Sequence, residues 1–254
     1  MTIDLYPVSA AEHELIREHF EVKAKALALQ THFVNEDGEW VEKPLKNWFW
    51  AGYDASKYTK AVINGQTYII AAGNIITGII GDVLPEACQH YPESFGTHDA
   101  HAVVKAIYDE HPEPGYNNMD EYEQHLSFEQ FAIVFHIDQD GNVDHKALRL
   151  DLFRQIKPEK GDKTKHEFIG GLLHALKHYT YNGFPLSTNH ENFPLNHPTE
   201  IIGYIIDAFF QSPHTQSGKG WHTTTTMPSG YDLKCGYFQE TVANVYFLNT
   251  AYVK

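Results

Sequence analysis

Two closing stretches of the chain decide its fold class: Tyr231-Asp232-Leu233-Lys234-Cys235-Gly236-Tyr237-Phe238 and Val245-Tyr246-Phe247-Leu248-Asn249-Thr250-Ala251-Tyr252. Both are rich in aromatic and branched residues, a composition that is typical of β-strands. Together with the preceding Thr-rich segment they predict three short antiparallel strands, at 221–227, 233–240 and 245–253. Because side chains alternate between the two faces of a strand, the pattern places Tyr246, Leu248, Thr250 and Tyr252 on one face.

The segment before these strands predicts a hairpin and two helices. Residues 131–137 and 143–152 are rich in β-forming residues and flank the turn Asp140-Gly141. Residues 165–179 and 199–211 have helical periodicity, and Pro198 suits the start of the second helix. We therefore expect an α+β fold in which C-terminal helices are followed by an antiparallel sheet.

The same patterns suggest a division of the 254 residues into two modules. Residues 1–128 combine helical and strand patterns and predict an acidic α+β module of unknown role. Residues 129–254 predict a second module that carries the candidate chemistry. The charged segment 157–165 predicts a loop that links two subdomains. A single continuous domain is the alternative.

Charge is distributed unevenly between these two parts. The chain carries 19 Lys and Arg against 33 Asp and Glu, a formal net charge of −14. Residues 1–140 hold 8 basic and 23 acidic residues, whereas residues 141–254 hold 11 and 10. The total argues against nonspecific coating of nucleic acid, but the nearly neutral second part is compatible with a local cationic site.

Composition disfavours several other classes of protein. No run of 18 apolar residues is present, so we expect no membrane span. The two cysteines provide neither a disulfide framework nor a CxxC metal motif. The opening residues lack the basic-then-apolar order of a signal peptide, which favours a cytoplasmic location.

The densest candidate chemistry lies in residues 166–178, which contain His166, His174 and His178. On the predicted helix, His174 and His178 are four residues apart and share one face, and His166 points roughly the same way. Gly170 and Gly171 are unfavourable inside a helix, which indicates that another element or a ligand approaches the backbone there. An amphipathic helix with histidines at its rim is the simplest interpretation.

Two chemical interpretations of these histidines stay open. As a metal pair, His174 and His178 would form a zinc site completed by His190, His197 or Glu200. As general acid and base, the histidines would serve RNA cleavage through the 2′-hydroxyl, which needs no metal because the nucleophile belongs to the substrate. A lysine would then stabilise the charge on the phosphorane.

The histidine-bearing helix and the closing strand Tyr246–Tyr252 together resemble the barnase–EndoU–colicin–RelE-like ribonucleases, in their EndoU-like and phage or toxin-like branches. The resemblance covers roughly residues 130–254. It implies helices before a four-stranded antiparallel sheet, an RNA substrate and metal-independent endoribonuclease activity without a cofactor. A toxin-like enzyme also implies an inhibitory or immunity-type protein partner.

The resemblance also implies roles for individual residues. His174 is expected to act as general acid or base, with His178 or His166 as the second histidine. Lys234 would stabilise the phosphorane, while Thr250 would contact phosphate and Tyr252 a base. The remaining substrate-binding candidates are His166, Lys177, His190 and His222.

Two alternatives to the ribonuclease are kept. One is a zinc-dependent hydrolase that uses His174, His178, His197 and Glu200. The other is a noncatalytic binding protein, whose histidines would lie scattered over the molecule.

Overall fold

A computed structural model describes residues 1, 3–18, 32–34, 37, 40–42, 58–71, 75–112, 115–128, 130–186, 193–240 and 244–254. One large sheet organises these residues. Its strands are β1 (Asp4–Pro7), β4 (Tyr58–Ile63), β5 (Gln66–Ala71), β6 (Phe131–Ile137), β7 (Ala147–Asp151), β13 (Thr215–Ser217), β14 (Gly220–Thr226), β15 (Asp232–Glu240) and β16 (Val245–Val253). The nine strands lie in the order β1-β4-β5-β6-β7-β16-β15-β14-β13.

Smaller sheets and short helices surround the large sheet. The remaining strands are β2 (His32–Val34), β3 (Trp40–Glu42), β8 (Gln155–Glu159), β9 (Asp162–Ile169), β10 (Tyr179–Tyr181), β11 (Phe184–Pro185) and β12 (Phe193–Leu195). The helices are α1 (residues 10–18), a π-helix (Ile75–Val83), α2 (Leu84–His90), α3 (Pro92–Gly96), α4 (Ala100–Glu110), α5 (Met119–Phe128), α6 (Gly171–Leu176) and α7 (Thr199–Gln211). Within the described ranges, no helix has the length and apolar character needed to cross a membrane.

A single parallel pair joins two antiparallel halves of the large sheet. β7 and β16 run parallel, with Val245 opposite Ala147 and Phe247 opposite Arg149. The other neighbouring strands of this sheet pair antiparallel. β16 comes last in the sequence yet lies in the middle of the sheet. β5 and β6, which lie on opposite sides of the boundary proposed after residue 128, pair directly over residues 67–71 and 133–137.

The α+β class and several predicted elements are confirmed. The three closing strands are β14, β15 and β16, and the predicted hairpin is the antiparallel pair β6–β7. The helix predicted at 199–211 is α7, with Pro198 directly before it. β6 and β7 are buried along almost their whole length, the closing strands bury one face, and α7 packs into the core on that face.

The helix predicted over 165–179 is wrong. Residues 162–169 form strand β9, and only the six residues of α6 are helical. Gly170 and Gly171 have φ of +69° and +83°, which interrupt any continuous helix between the two elements. A Cβ on Gly171 would lie 2.7 Å from the Asp151 carbonyl oxygen and 2.8 Å from Phe153 Cα, so the close approach inferred for this pair is made by the end of β7.

The charged linker predicted over 157–165 is also wrong. β8 and β9 form an antiparallel hairpin there, with Lys157 opposite Glu167 and Pro158 opposite His166. Its turn is at Lys160 and Gly161, where Gly161 has φ of +104°. Lysine, aspartate and glycine serve here as exposed strand and turn residues, which composition alone does not distinguish from a loop.

The predicted face alternation of the last strand fails at one residue. Thr250 pairs with Gly236, whereas Leu248 pairs with the adjacent Tyr237, so Asn249 is an extra residue in β16. A bulge of this kind reverses the alternation. Leu248 and Ala251 both enter the core, whereas Thr250 and Tyr252 lie on the opposite face from Leu248.

Apolar residues pack on both faces of the large sheet. On one face, α7 contributes Ile201, Ile205 and Phe209 to the principal core, which also contains Tyr237 and Leu248. On the other face, a smaller core lies over β5, β6 and β7 and includes Ile16 from α1. The side of β14, β15 and β16 that faces away from the principal core carries polar and exposed aromatic residues.

Candidate active site

We define the His222 face as the side of β14, β15 and β16 opposite the principal core. The strand register arranges its residues in cross-strand rows. Lys234 of β15 pairs with Thr224 of β14 and with Tyr252 of β16, and Gly236 pairs with His222 and with Thr250. In the last row, Phe238 pairs with Phe247. Cys235 and Tyr237, which alternate with these residues along β15, are buried in the principal core. Lys234, Gly236 and Phe238 therefore lie on the opposite side of the strand. Three strands thus place hydroxyl, imidazole, ammonium and phenol groups on one surface.

Gly236 lies at the centre of this face, and we call the gap left by its absent Cβ, between the side chains of His222 and Thr250, the notch. A Cβ at Gly236 would lie 3.2 Å from Thr250 Cγ2 and 3.6 Å from His222 Nδ1. The side chains of His222 and Thr250 therefore both lie against the buried backbone of Gly236. Any larger residue at 236 would occupy the space between them.

Lys234, Thr250 and Tyr252 share the His222 face, and the spacing of Thr250 and Tyr252 had placed those two residues on one face. Lys234 and Tyr252 are directly opposite each other on adjacent antiparallel strands. His178 joins them from another element, since its ring centroid lies 5.9 Å from that of Tyr252. Asp232 lies at the end of the same face, where it accepts a hydrogen bond of 2.8 Å from Thr226 Oγ1.

His174 lies on α6 in a more buried setting. Its Nδ1 is 2.6 Å from the carbonyl oxygen of Phe168, and because a carbonyl only accepts, Nδ1 carries the proton. Burial, together with the nearby charge of Lys177, lowers the pKa of His174 to about 4. A histidine with this pKa is neutral at physiological pH, so the contact with Phe168 serves to anchor α6 to β9.

The other histidine and lysine candidates are dispersed. His166 lies on β9 with its ring centroid 4.4 Å from that of His101 on α4. His101 Nδ1 is in turn 2.8 Å from a carboxylate oxygen of Glu123. Lys177 follows α6, and burial lowers its pKa against the opposing effect of Glu167 and Glu159. His190 lies outside the described residues.

The residues proposed for zinc have other partners. The carboxylate of Glu200 pairs with the amino group of Met1 and accepts a 3.0 Å hydrogen bond from the Asn196 backbone N–H. His197 Nδ1 lies 2.8 Å from Thr199 Oγ1. Across the described part of the chain, no three His, Cys, Asp or Glu side chains are grouped to hold a metal ion.

Sequence reasoning missed two residues at the edge of the His222 face, Arg154 and Phe238. Phe238 follows Leu233, Cys235 and Tyr237, whose alternation leaves it as an aromatic residue on the polar side of β15. This break in alternation is the signal that could have found it. Arg154 lies between β7 and β8 and reaches the face only through the fold.

No protein-family model matches the sequence, and no match was found among curated proteins or among solved structures. The chemistry of the His222 face is therefore the basis for assigning a function.

Proposed function

We propose that this protein is a metal-independent endoribonuclease whose active site is the His222 face. The observation that carries the proposal is the notch at Gly236, with His222 Nδ1 at 3.6 Å and Thr250 Cγ2 at 3.2 Å from the position of an absent Cβ. A phosphate group bound on the face above Gly236 would meet the imidazole of His222 on one side and the side chain of Thr250 on the other. The same face carries Lys234 for the negative charge.

The reaction needs a base, an acid and charge stabilisation. A base removes the proton of the 2′-hydroxyl, the 2′-oxygen bonds to phosphorus, and an acid protonates the departing 5′-oxygen. The products are a 2′,3′-cyclic phosphate and a free 5′-hydroxyl. In our proposal His222 and His178 are the two proton-transfer groups, because both lie against the His222 face.

The other residues of the face bind the substrate. Lys234 stabilises the phosphorane oxygens as a cation, and the Thr250 hydroxyl donates a hydrogen bond to them. Tyr252 provides an aromatic surface for a base, since this residue is 37% exposed. His174 has a positioning role in this scheme, because it anchors α6 and thereby His178.

The proposal includes a setting for the enzyme. A cytoplasmic location would give it cellular RNA as substrate. An enzyme that shares a compartment with its own host's RNA has to be restrained, so an inhibitory, immunity-type protein partner belongs to the same proposal.

The test is cleavage of single-stranded RNA in EDTA by the wild type and by His222→Gln and Thr250→Val. Removing a general acid or base should lower kcat by about 10²–10⁴-fold, and Thr250→Val should lower it less. His145→Gln is the matched control, because the side chain of His145 is 84% exposed and belongs to the loop before β7. A wild type without activity in EDTA, or a fully active His222→Gln, contradicts the proposal.

A further inference from the structure

Arg154 lies across the exposed ring of Phe238 at one end of the His222 face. Its guanidinium carbon is 5.5 Å from the ring centroid, and Phe238 is 41% exposed. Arg154 is itself exposed. The pair therefore presents a flat, cationic and partly apolar surface to its surroundings.

The backbone holds Arg154 in this position. Its N–H donates a 3.1 Å hydrogen bond to the carbonyl oxygen of Ile169. The aliphatic stem passes beside Gly170, where a Cβ would lie 2.9 Å from Arg154 Cδ and 3.2 Å from Cγ. Gly170 therefore leaves room for the stem of the arginine, which limits the positions open to the guanidinium.

A comparison with Arg149 shows what Arg154 lacks. Arg149 is buried, its Nε donates to Asp151 Oδ1 over 2.7 Å, and its guanidinium lies 4.1 Å from the ring centroid of Phe131. In the part of the chain that the structure describes, Arg154 has the aromatic contact but forms no ion pair with an acidic side chain. Among the described residues, its charge therefore has no acidic partner, and an anion from outside can pair with it.

The spacing along β15 places this pair beside the notch. Phe238 is two residues beyond Gly236 and on the same face, a distance of about 7 Å along a strand. Lys234, opposite Tyr252, lies two residues on the other side of Gly236. The face therefore has an aromatic surface on each side of its central notch.

We propose that Arg154 and Phe238 form a second base-stacking subsite, which binds an unpaired nucleotide next to the phosphate that contacts His222 and Thr250. This inference rests on the proposed ribonuclease function and specifies its substrate as single-stranded RNA. Bases stack on aromatic rings and on guanidinium planes, and they are free to do so when they are unpaired. Arg154 supplies both a plane and the charge that attracts the adjoining phosphate.

The experiment measures binding separately from cleavage. A short, fluorescently labelled single strand with 2′-deoxy sugars is titrated with the full chain, since this probe lacks the nucleophile. Phe238→Ala should raise its Kd by about 5- to 150-fold, the equivalent of 1–3 kcal/mol for one stacked base. Arg154→Lys retains the positive charge but loses the planar guanidinium group. It should therefore raise the Kd while the salt dependence of the Kd stays the same.

Tyr6→Ala is the matched control, because Tyr6 is 46% exposed on β1, far from β15 in the strand order. It should leave the Kd unchanged, and binding of duplex RNA should be equal in all variants. If the wild type cleaves RNA but Phe238→Ala alters neither Kd nor KM, the subsite is wrong and the function stands. If the wild type binds the probe through Phe238 without cleaving RNA, the function is wrong and the subsite stands. If the wild type does not bind the probe at all, the subsite is overturned.

Discussion

His174 Nδ1 donates a hydrogen bond of 2.6 Å to the carbonyl oxygen of Phe168, which ties α6 to the end of β9. Burial lowers the pKa of this histidine from 6.5 to about 4. As the pH falls, the unfolded chain therefore takes up a proton at His174 at a higher pH than the folded chain does. The contribution of His174 to the free energy of unfolding is therefore fully present above pH 6.5. It is lost progressively as the pH falls towards 4, by on the order of 3 kcal/mol in total.

His174→Asn should remove that part of the pH dependence. We expect the free energy of urea unfolding to fall less steeply between pH 7 and 4.5 in this variant than in the wild type. Two partly buried histidines, His136 and His214, also have lowered pKa values, so the difference between the two proteins is the quantity to measure. His145→Asn serves as the exposed control. If the free energy of unfolding falls equally steeply with pH in the wild type and in His174→Asn, then His174 is not buried in its neutral state.

Gly236→Ala should reduce RNA cleavage while the protein stays folded. The added Cβ would be 3.2 Å from Thr250 Cγ2, a contact that the threonine can relieve only by moving. We expect kcat/KM to fall by about 2- to 10-fold, because a few tenths of an ångström is a fraction of the displacement of about 1 Å that can cost about 10²-fold. Gly96→Ala is the control, because a Cβ there meets no atom within 4 Å. Equal activity in the two variants argues against catalysis at the notch.

Gly171→Ala should destabilise the whole fold. Its φ of +83° is unfavourable for alanine, and the Cβ would lie 2.7 Å from the Asp151 carbonyl oxygen, which belongs to the sheet. Strain and overpacking together should cost about 2–6 kcal/mol, measured by urea unfolding. Gly161 has φ of +104°, and a Cβ there would meet no atom within 4 Å. Gly161→Ala should therefore cost only the backbone strain. A smaller loss at 171 than at 161 contradicts this packing.

Asp151→Asn should also be strongly destabilising. The side chains of Arg149 and Asp151 are only 7% and 5% exposed, so removing the carboxylate leaves a buried charge without its counter-ion. The expected cost is about 3–5 kcal/mol in the free energy of unfolding. The double variant Arg149→Met/Asp151→Leu should recover much of it. Glu14→Gln, which breaks an exposed pair with Arg17, is the control and should leave the unfolding midpoint unchanged.

Local patterns in the sequence predicted the elements that obey a single period. β15 and α7 were found because their apolar residues alternate or repeat every three to four positions, and β6 because it is a short run of β-forming residues. The region around His174 was misread because Leu172, Leu173 and Leu176 have helical spacing, and only the backbone angles reveal that the glycines end a strand and begin a short helix. The extra residue at Asn249 is equally invisible to a pattern of alternation.

The site was predictable to the extent that its residues share a strand. Thr250 and Tyr252 both follow the bulge and share a face, and the spacing of Lys234 is consistent with theirs. His222 was expected to bind substrate, but its position beside Gly236 depends on the register between β14 and β15. Register between strands is set by packing across the whole sheet, which a single sequence does not display.

The central position of β16 has a consequence for the order in which the molecule is made. β7 and β15 can be joined only when the last of the nine strands is available to lie between them. Thr250 and Tyr252 arrive on that same strand. During synthesis, the face that we assign to RNA cleavage is therefore completed in the same step that closes the sheet.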